Sequence, residues 1–241
     1  MEWLQQLDVG LFRFINGTLS NPFFDEVMPF VSHNPFSGPY KWLLVVAIVT
    51  FAAVTIWKRF YRLLICGLMA GIIIGTGDGL LCRNLKHTIQ RPRPYSVLPD
   101  VKRPGETRKP AATANAIVET KGNSPKHASM NTNSMPSAHA ANWFAGTIVA
   151  LVYFRKSIRV ILPLACLVSF SRIYNGDHYP SDVLAGAIVG AGHAVAMLWL
   201  LNSLWQWAAP KWFPGVCKLL PSLTSPILSE KSSVDVAIQT K

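Results

Sequence analysis

A series of apolar runs, the longest of them of bilayer length and each bordered by charge on at least one side, leaves this chain few folds to choose from. Leu63 to Cys82 is the clearest, with Asp78 as its only charged residue. In hydrocarbon every backbone N–H and C=O must find its partner within the protein, so such runs become helices. Further runs, about Lys41 to Trp57, Ala140 to Phe154, Ile158 to Phe170 and Val183 to Leu204, bring the expected number of spans to about five, with Tyr40, Trp42 and Trp57 as interfacial anchors of the first. The expected fold is all-α, a polytopic transmembrane helix bundle. Composition agrees, with 50% apolar and 15% charged residues and a positive mean hydropathy, unusual for a water-soluble domain of this size.

The N-terminus reads differently. Met1 to Leu19 lacks the basic start, compact apolar core and small-residue cleavage site of a signal peptide. Trp3, Leu4, Leu7, Leu11, Phe14 and Ile15 repeat with helical period, while Gln5, Gln6, Asp8, Arg13 and Asn16 interrupt them. This is the pattern of an amphipathic helix lying in the membrane interface. Asn21-Pro22 then reads as a second helix start, Asn capping and Pro in the first turn. The expected organisation is therefore interfacial helices over residues 1–39, a membrane domain over 40–206 with a long polar loop at 95–134, and a partly disordered cytoplasmic tail over 207–241. Gly67, Gly71, Gly75 and Gly79, at four-residue spacing, read as a flat stripe for close helix packing, as do Gly186 and Gly190 in the last span. Cys66, Cys82, Cys166 and Cys217 show no metal-type spacing and imply no disulfide framework.

Five spans put the chain ends on opposite sides if the N-terminal helix does not cross. The short connections Lys58 to Arg62 and Arg155 to Arg159 are basic, which places them in the cytoplasm and the opposite helix ends outside. Against this stand ten Lys/Arg between Arg83 and Lys126, an excess that the rule prefers to keep inside. The formal charge of +11 does not point to nucleic acid, because the basic residues gather at membrane edges and not along a soluble face interleaved with aromatics. Phosphate or anionic lipid is the expected partner.

Three clusters at those outer edges carry the chemistry. Lys86, His87, Arg91 and Arg93 form a basic edge, stiffened by Pro92 and Pro94; alone it also reads as a snorkelling collar. Pro136-Ser137-Ala138-His139 stands directly before an apolar helix, where free backbone N–H groups, the Ser137 hydroxyl and the small Ala138 suit an oxyanion. His139 adds a proton that titrates near neutrality. Ser171-Arg172 ends one span, and His178 and Asp182 begin the next; a carboxylate four residues after a histidine can take one imidazole N–H and leave the other nitrogen free to attack. Asp182 at a helix start is equally a plain dipole partner. Together the clusters supply cations, helix-end donors, an oriented nucleophile and a second histidine, which is what phosphoryl transfer needs. No carboxylate group suited to magnesium or zinc accompanies them, so a metal-independent reaction with no cofactor is expected.

These residues resemble the signature of the type 2 phosphatidic acid phosphatase superfamily, K-x6-RP, PSGH and SR-x5-H-x3-D. The chain has Lys86 with Arg93-Pro94, then Pro136-Ser137-Ala138-His139, then Ser171-Arg172 with His178 and Asp182, departing only in Ala138 for the usual glycine. The resemblance implies that His178 forms a phosphohistidine, Asp182 orients it and His139 protonates the leaving oxygen. It implies too that Lys86, Arg93, Ser137, Ala138 and Arg172 bind the phosphate, and that the site faces the extracytoplasmic side of the cell (inner) membrane. Length and the stretch Asn21 to Asp25 look like the bacterial branch that includes undecaprenyl-diphosphate phosphatases, with lipid A and phosphatidylglycerophosphate phosphatases still open. The expected substrate is a lipid phosphate or diphosphate, and no obligate protein partner is inferred. A lipid phosphotransferase using the same site is one alternative. A non-catalytic protein that binds or transports anionic lipid is another, though binding alone needs no oriented nucleophile. Of the remaining polar residues, His193 reads as a hydrogen-bonded packing residue, and His87 and His127 as solvent-facing.

Overall fold

The computed structural model describes residues 2–32, 61–104 and 133–224, with isolated positions between 46 and 53. The expected first span and most of the polar loop lie outside the described residues, as do His127 and the end of the tail. Every regular element among the described residues is helical. Among the described residues, three helices are long and apolar enough to cross a membrane: Arg62–Ile89, Arg155–Tyr174 and Pro180–Trp212.

Helix α1 (Glu2–Arg13) continues through a wider turn, Phe14–Thr18, to α2 (Pro22–Val31). The start of α2 follows from its residues, since Asn21 Oδ1 accepts the Phe24 N–H at 3.0 Å and Pro22 needs no donor of its own. On α1 the apolar residues Trp3, Leu4, Leu7 and Leu11 point away from the protein, while Asp8 and Phe12 are buried against it. This inverts the arrangement of a helix on a soluble domain and fits one whose outer face meets lipid.

The long helix over residues 62–89 consists of α3 (Tyr61–Thr76), a π-helical stretch Gly77–Cys82 and α4 (Arg83–Ile89). At 1.5 Å per residue it is roughly 40 Å long, enough for a hydrocarbon core of roughly 30 Å. It stops at Gln90, which turns into the left-handed region (φ 48°) ahead of Pro92. A short helix α5 (Pro94–Val97) follows, then α6 (Ala138–Tyr153), α7 (Ile158–Tyr174), α8 (Pro180–Trp212) and α9 (Pro214–Leu219). The apolar core joins α3, α6 and α8 through Met69, Ile73, Ala145, Val149, Tyr153, Ala194 and Leu198. Outward, Leu68, Ile72, Leu162, Leu167, Leu184, Ile188 and Trp199 are exposed, a display that a water-soluble surface rarely carries and a bilayer covers.

Two glycine readings separate here. A Cβ on Gly190 would lie 2.1 Å from the Ala141 carbonyl oxygen, and one on Gly186 would lie 2.4 Å from that of Ser137. These glycines let α6 and α8 touch backbone to backbone. Gly67, Gly71, Gly75 and Gly79, expected to form a packing stripe, have no neighbour within 4 Å of such a Cβ among the described residues. On that helix it is Gly77 that meets a neighbour, His193 Cδ2 at 3.1 Å, beside the hydrogen-bonding contacts of His193 Nε2 with Thr76 Oγ1 (3.0 Å) and the Ile73 carbonyl (3.2 Å). Helix α8 also outruns the expected end of the last span near Leu204. It continues to Trp212, after which the chain turns back, so that Trp205 Nε1 donates to the Leu220 carbonyl (2.8 Å) and the Tyr153 hydroxyl to that of Leu223 (2.6 Å).

The contrast is testable by thermal unfolding in detergent. Gly190→Ala is expected to lose about 1–3 kcal/mol through overpacking, while Gly71→Ala stays within about 1 kcal/mol of wild type.

Candidate active site

Backbone hydrogen bonds fasten the three sequence clusters to one another. Asn133 Nδ2 donates to the Lys86 carbonyl (2.9 Å) and Ser134 N to the Arg91 carbonyl (2.8 Å), tying the first cluster to the approach of the second. Ser137 N then donates to the Asp182 carbonyl (3.0 Å), tying the second to the third. Within the third, the turn after α7 closes when Asp177 N and His178 N both donate to the Arg172 carbonyl, at 3.1 and 3.3 Å. Gly176 makes that turn possible, with φ at +79° and a site where a Cβ would sit 2.5 Å from Val101 Cγ1.

The turn delivers His178 to a buried position, 1% exposed, beside Asp182, which is fully buried. His178 Nδ1 lies 3.8 Å from Asp182 Oδ2, longer than a hydrogen bond, and has no other partner. Histidine–carboxylate pairs at this distance commonly tighten when a ligand binds. Asp182 is held from two sides: Oδ2 accepts the Tyr179 N–H (2.8 Å) and Oδ1 accepts from Arg91 Nη1 (2.7 Å). The His178 imidazole is pushed down to about 4, by burial first and by Arg172 and Arg93 as well, with Asp182 offsetting part of the fall. The ring is therefore neutral at pH 7, with a lone pair available.

Around this pair stand the expected anion ligands. Arg172 Nη2 reaches Asp177 Oδ2 at 2.7 Å, and Arg93 Nη1 and Arg103 Nη2 approach Asp177 Oδ1 at 3.6 and 3.8 Å. Arg172 also donates to the Ser32 hydroxyl at the end of α2. Ser137 Oγ and the Nε atoms of Arg93 and Arg172 are buried without a hydrogen-bond partner, a concentration of unmet donors that suits an oxyanion. His139, in the first turn of α6, shares its electrostatic surroundings with Arg172, His178, Asp177 and Lys86. Ala138 opens that helix, half-buried. Lys86 lies within electrostatic range of Arg93 and Arg172. All eight residues singled out from the sequence, Lys86, Arg93, Ser137, Ala138, His139, Arg172, His178 and Asp182, thus fall at one end of the bundle.

Three acidic or basic residues belong beside them that the sequence reading placed elsewhere or passed over. Arg91 was grouped with the anion-binding edge, but its guanidinium faces Asp182 and Asp8. Asp8, one of the polar residues that interrupt the apolar pattern of α1, is buried. Asp177, the only acidic residue between Arg172 and His178, lies outside the residues that the three motifs specify. No group of three His, Cys, Asp or Glu side chains arranged to hold a metal ion occurs among the described residues.

Comparison with known proteins gives the class first, that of the bacterial membrane lipid phosphatases. The chain belongs to the PAP2 superfamily, whose pattern matches residues 40–206. The lipid A 4'-phosphatase of Bacteroides thetaiotaomicron is 30% identical over 195 residues, covering 79% of this chain and 75% of that protein. The bacitracin transport permease protein BcrC of Bacillus licheniformis is 38% identical over 72 residues, 30% of this chain and 36% of the other. Among solved structures, Aquifex aeolicus LpxE aligns with a TM-score of 0.54 at 22% identity, covering 80% of this chain and 94% of its own. The first transmembrane PAP2-type phosphatidylglycerolphosphate phosphatase from Bacillus subtilis aligns at 0.53 with 21% identity, covering 82% and 85%. These two share the fold.

Because Asp177 occupies three arginines, an incoming anion has to displace it. Asp177→Asn is expected to tighten inhibition by inorganic phosphate about fivefold, the equivalent of about 1 kcal/mol. An unchanged or weaker inhibition constant would separate those arginines from phosphate binding.

Proposed function

We propose that this chain hydrolyses a lipid phosphate or diphosphate through a phosphohistidine, at the extracytoplasmic face of the cell (inner) membrane. The observation that carries the reading is the buried, neutral His178 beside Asp182, with Arg93, Arg172 and Ser137 at the same end of a membrane bundle. His178 Nε2 attacks phosphorus as the bond to the leaving oxygen breaks, and that oxygen takes a proton from His139. Asp182 holds the Nδ1 proton and stabilises the charge that develops on the ring. Lys86, Arg93, Ser137, the Ala138 N–H and Arg172 neutralise the non-bridging oxygens. The negative charge of bound phosphate raises the proton affinity of His139, which otherwise stands among cations. Water then attacks phosphorus, its proton passes to His139, and the N–P bond breaks. The donor set consists of cations and backbone N–H groups, which favours a metal-independent reaction without a cofactor.

The basic connection Arg155–Arg159 lies at the far end of α6 and α7 from the three clusters, which supports the extracytoplasmic assignment by the positive-inside rule. For the substrate, the long match to a protein named lipid A 4'-phosphatase favours lipid A. The resemblance of the stretch Asn21 to Asp25 to the undecaprenyl-diphosphate branch keeps undecaprenyl diphosphate as the second reading.

The test is phosphate release by protein purified in mild detergent with EDTA, against a panel containing lipid A, undecaprenyl diphosphate and phosphatidylglycerolphosphate. Wild type is expected to release phosphate and His178→Ala to release none; equal release by the two would end the proposal. Phosphate appearing on an added acceptor lipid would favour the transferase. His139→Ala is expected to slow lipid monophosphates by roughly 10²–10⁴-fold. It should slow diphosphates much less, since a phosphate leaving group needs less help from a proton than an alkoxide.

A further inference from the structure

Asp8 lies on a helix that the sequence assigns to the membrane interface, outside the region matched by the superfamily, and yet it is 8% exposed. Both of its carboxylate oxygens are engaged. Oδ1 accepts the Ser181 N–H at 2.9 Å, and Oδ2 accepts from the Ser181 hydroxyl at 2.5 Å and from Arg91 Nη2 at 2.6 Å. Arg91 spans the gap to the catalytic pair: its Nη1 donates to Ser181 Oγ at 2.6 Å and to Asp182 Oδ1 at 2.7 Å. The Tyr179 ring lies beneath the guanidinium, 4.0 Å from centroid to Cζ. Phe12, the other buried residue of α1, rests on the same ring at 5.6 Å.

The chain of contacts thus runs from α1 to Arg91, then to one oxygen of Asp182, whose other oxygen faces His178. Two physical effects follow. A guanidinium held at both ends fixes the carboxylate plane, and carboxylate orientation decides whether the imidazole is aimed at phosphorus. The second effect is charge. Arg91 drains negative potential from Asp182, and Asp8 compensates part of the positive charge that does so.

We propose that Asp8 and Arg91 are positioning residues of the reaction, so that the N-terminal helix supplies a part of the active site that residues 86–182 lack. This inference rests on the reading of His178 as nucleophile. The contacts of Asp8 and Arg91 run to Ser181, Tyr179 and Asp182, so the effect falls on turnover and not on phosphate binding.

The experiment measures kcat, KM and the pH profile of kcat/KM for wild type, Asp8→Asn, Arg91→Gln, Arg91→Lys, Ser181→Ala and His178→Ala, on one lipid phosphate whose own ionisation is common to all. The groups facing His178 are Asp182 on α8, Arg172 on α7, Arg93 after α4 and His139 on α6, and they stay constant except for the changed pair. Asp8→Asn leaves Arg91 less compensated, lowers the proton affinity of His178 and moves the acid limb to lower pH. Arg91→Gln leaves Asp182 uncompensated and moves the limb to higher pH. Both are expected to lower kcat by about ten- to a hundredfold at unchanged KM. Arg91→Lys keeps the charge, so kcat falls while the limb stays. Ser181→Ala, which removes hydrogen bonds without charge, is the structural control and leaves the limb in place. If Asp8→Asn fails to fold, the two Arg91 variants decide, a limb moved by Gln but held by Lys being the expected result. Shifts in the same direction, or wild-type kcat and profile in the Asp8 and Arg91 variants, would overturn the inference; an active His178→Ala would overturn the reading beneath it instead.

Discussion

A carboxylate sealed from solvent is stable only where donors replace the water it has lost, and Asp182 is the point at which this protein meets that demand. Its side chain takes one hydrogen bond from Arg91 and one from the Tyr179 N–H, while its carbonyl takes the Ser137 N–H. Each partner belongs to a different functional piece. Arg91 belongs to the segment leaving the first long helix, Ser137 to the start of α6, and Tyr179 to the turn that carries His178. Removing one member of such a buried ionic set typically costs about 3–5 kcal/mol, because the other is left unpaired. The same contacts that keep the carboxylate buried therefore bring the three clusters to one place.

Packing in the membrane region serves this node. Without a hydrophobic force between helices in lipid, close approach depends on small residues, and Gly186 and Gly190 bring α8 against the backbone of Ser137 and Ala141. Ser137 sits one residue ahead of α6, so the spacing between α6 and α8 also sets the distance between Ser137 and His178. The polar end of the bundle is held from outside as well. Asn16 donates to the Tyr174 and Lys102 carbonyls, at 2.7 and 2.8 Å, and Asp25 accepts the Tyr174 hydroxyl at 2.6 Å, so α1, α2 and the loop segment are all pinned to the end of α7.

Much of this was legible before any coordinates. The eight residues of the three clusters are found together because their spacing reflects one helix end each, and helix ends at one membrane depth have little freedom to scatter. The Asn21-Pro22 start, the packing glycines of α8 and the packing role of His193 could be read because each depends on local chemistry. The failures share a different cause. Asp8 could be read only as polar, since a helix with its apolar face in lipid and its carboxylate toward the protein has the same periodicity as one lying the other way round. Arg91 stands two residues from Arg93, and no rule of composition says which arginine faces an anion and which faces a carboxylate.

In the proposed reaction the phosphoryl group passes to a ring nitrogen of His178. That step can be trapped by rapid alkaline quench of wild-type protein during turnover of a ³²P-labelled lipid phosphate, followed by peptide mapping. The expected result is a base-stable, acid-labile label on the peptide containing His178, absent from His178→Ala. Steady turnover of that substrate with no label on the wild-type protein, or with label on a different residue, would contradict it.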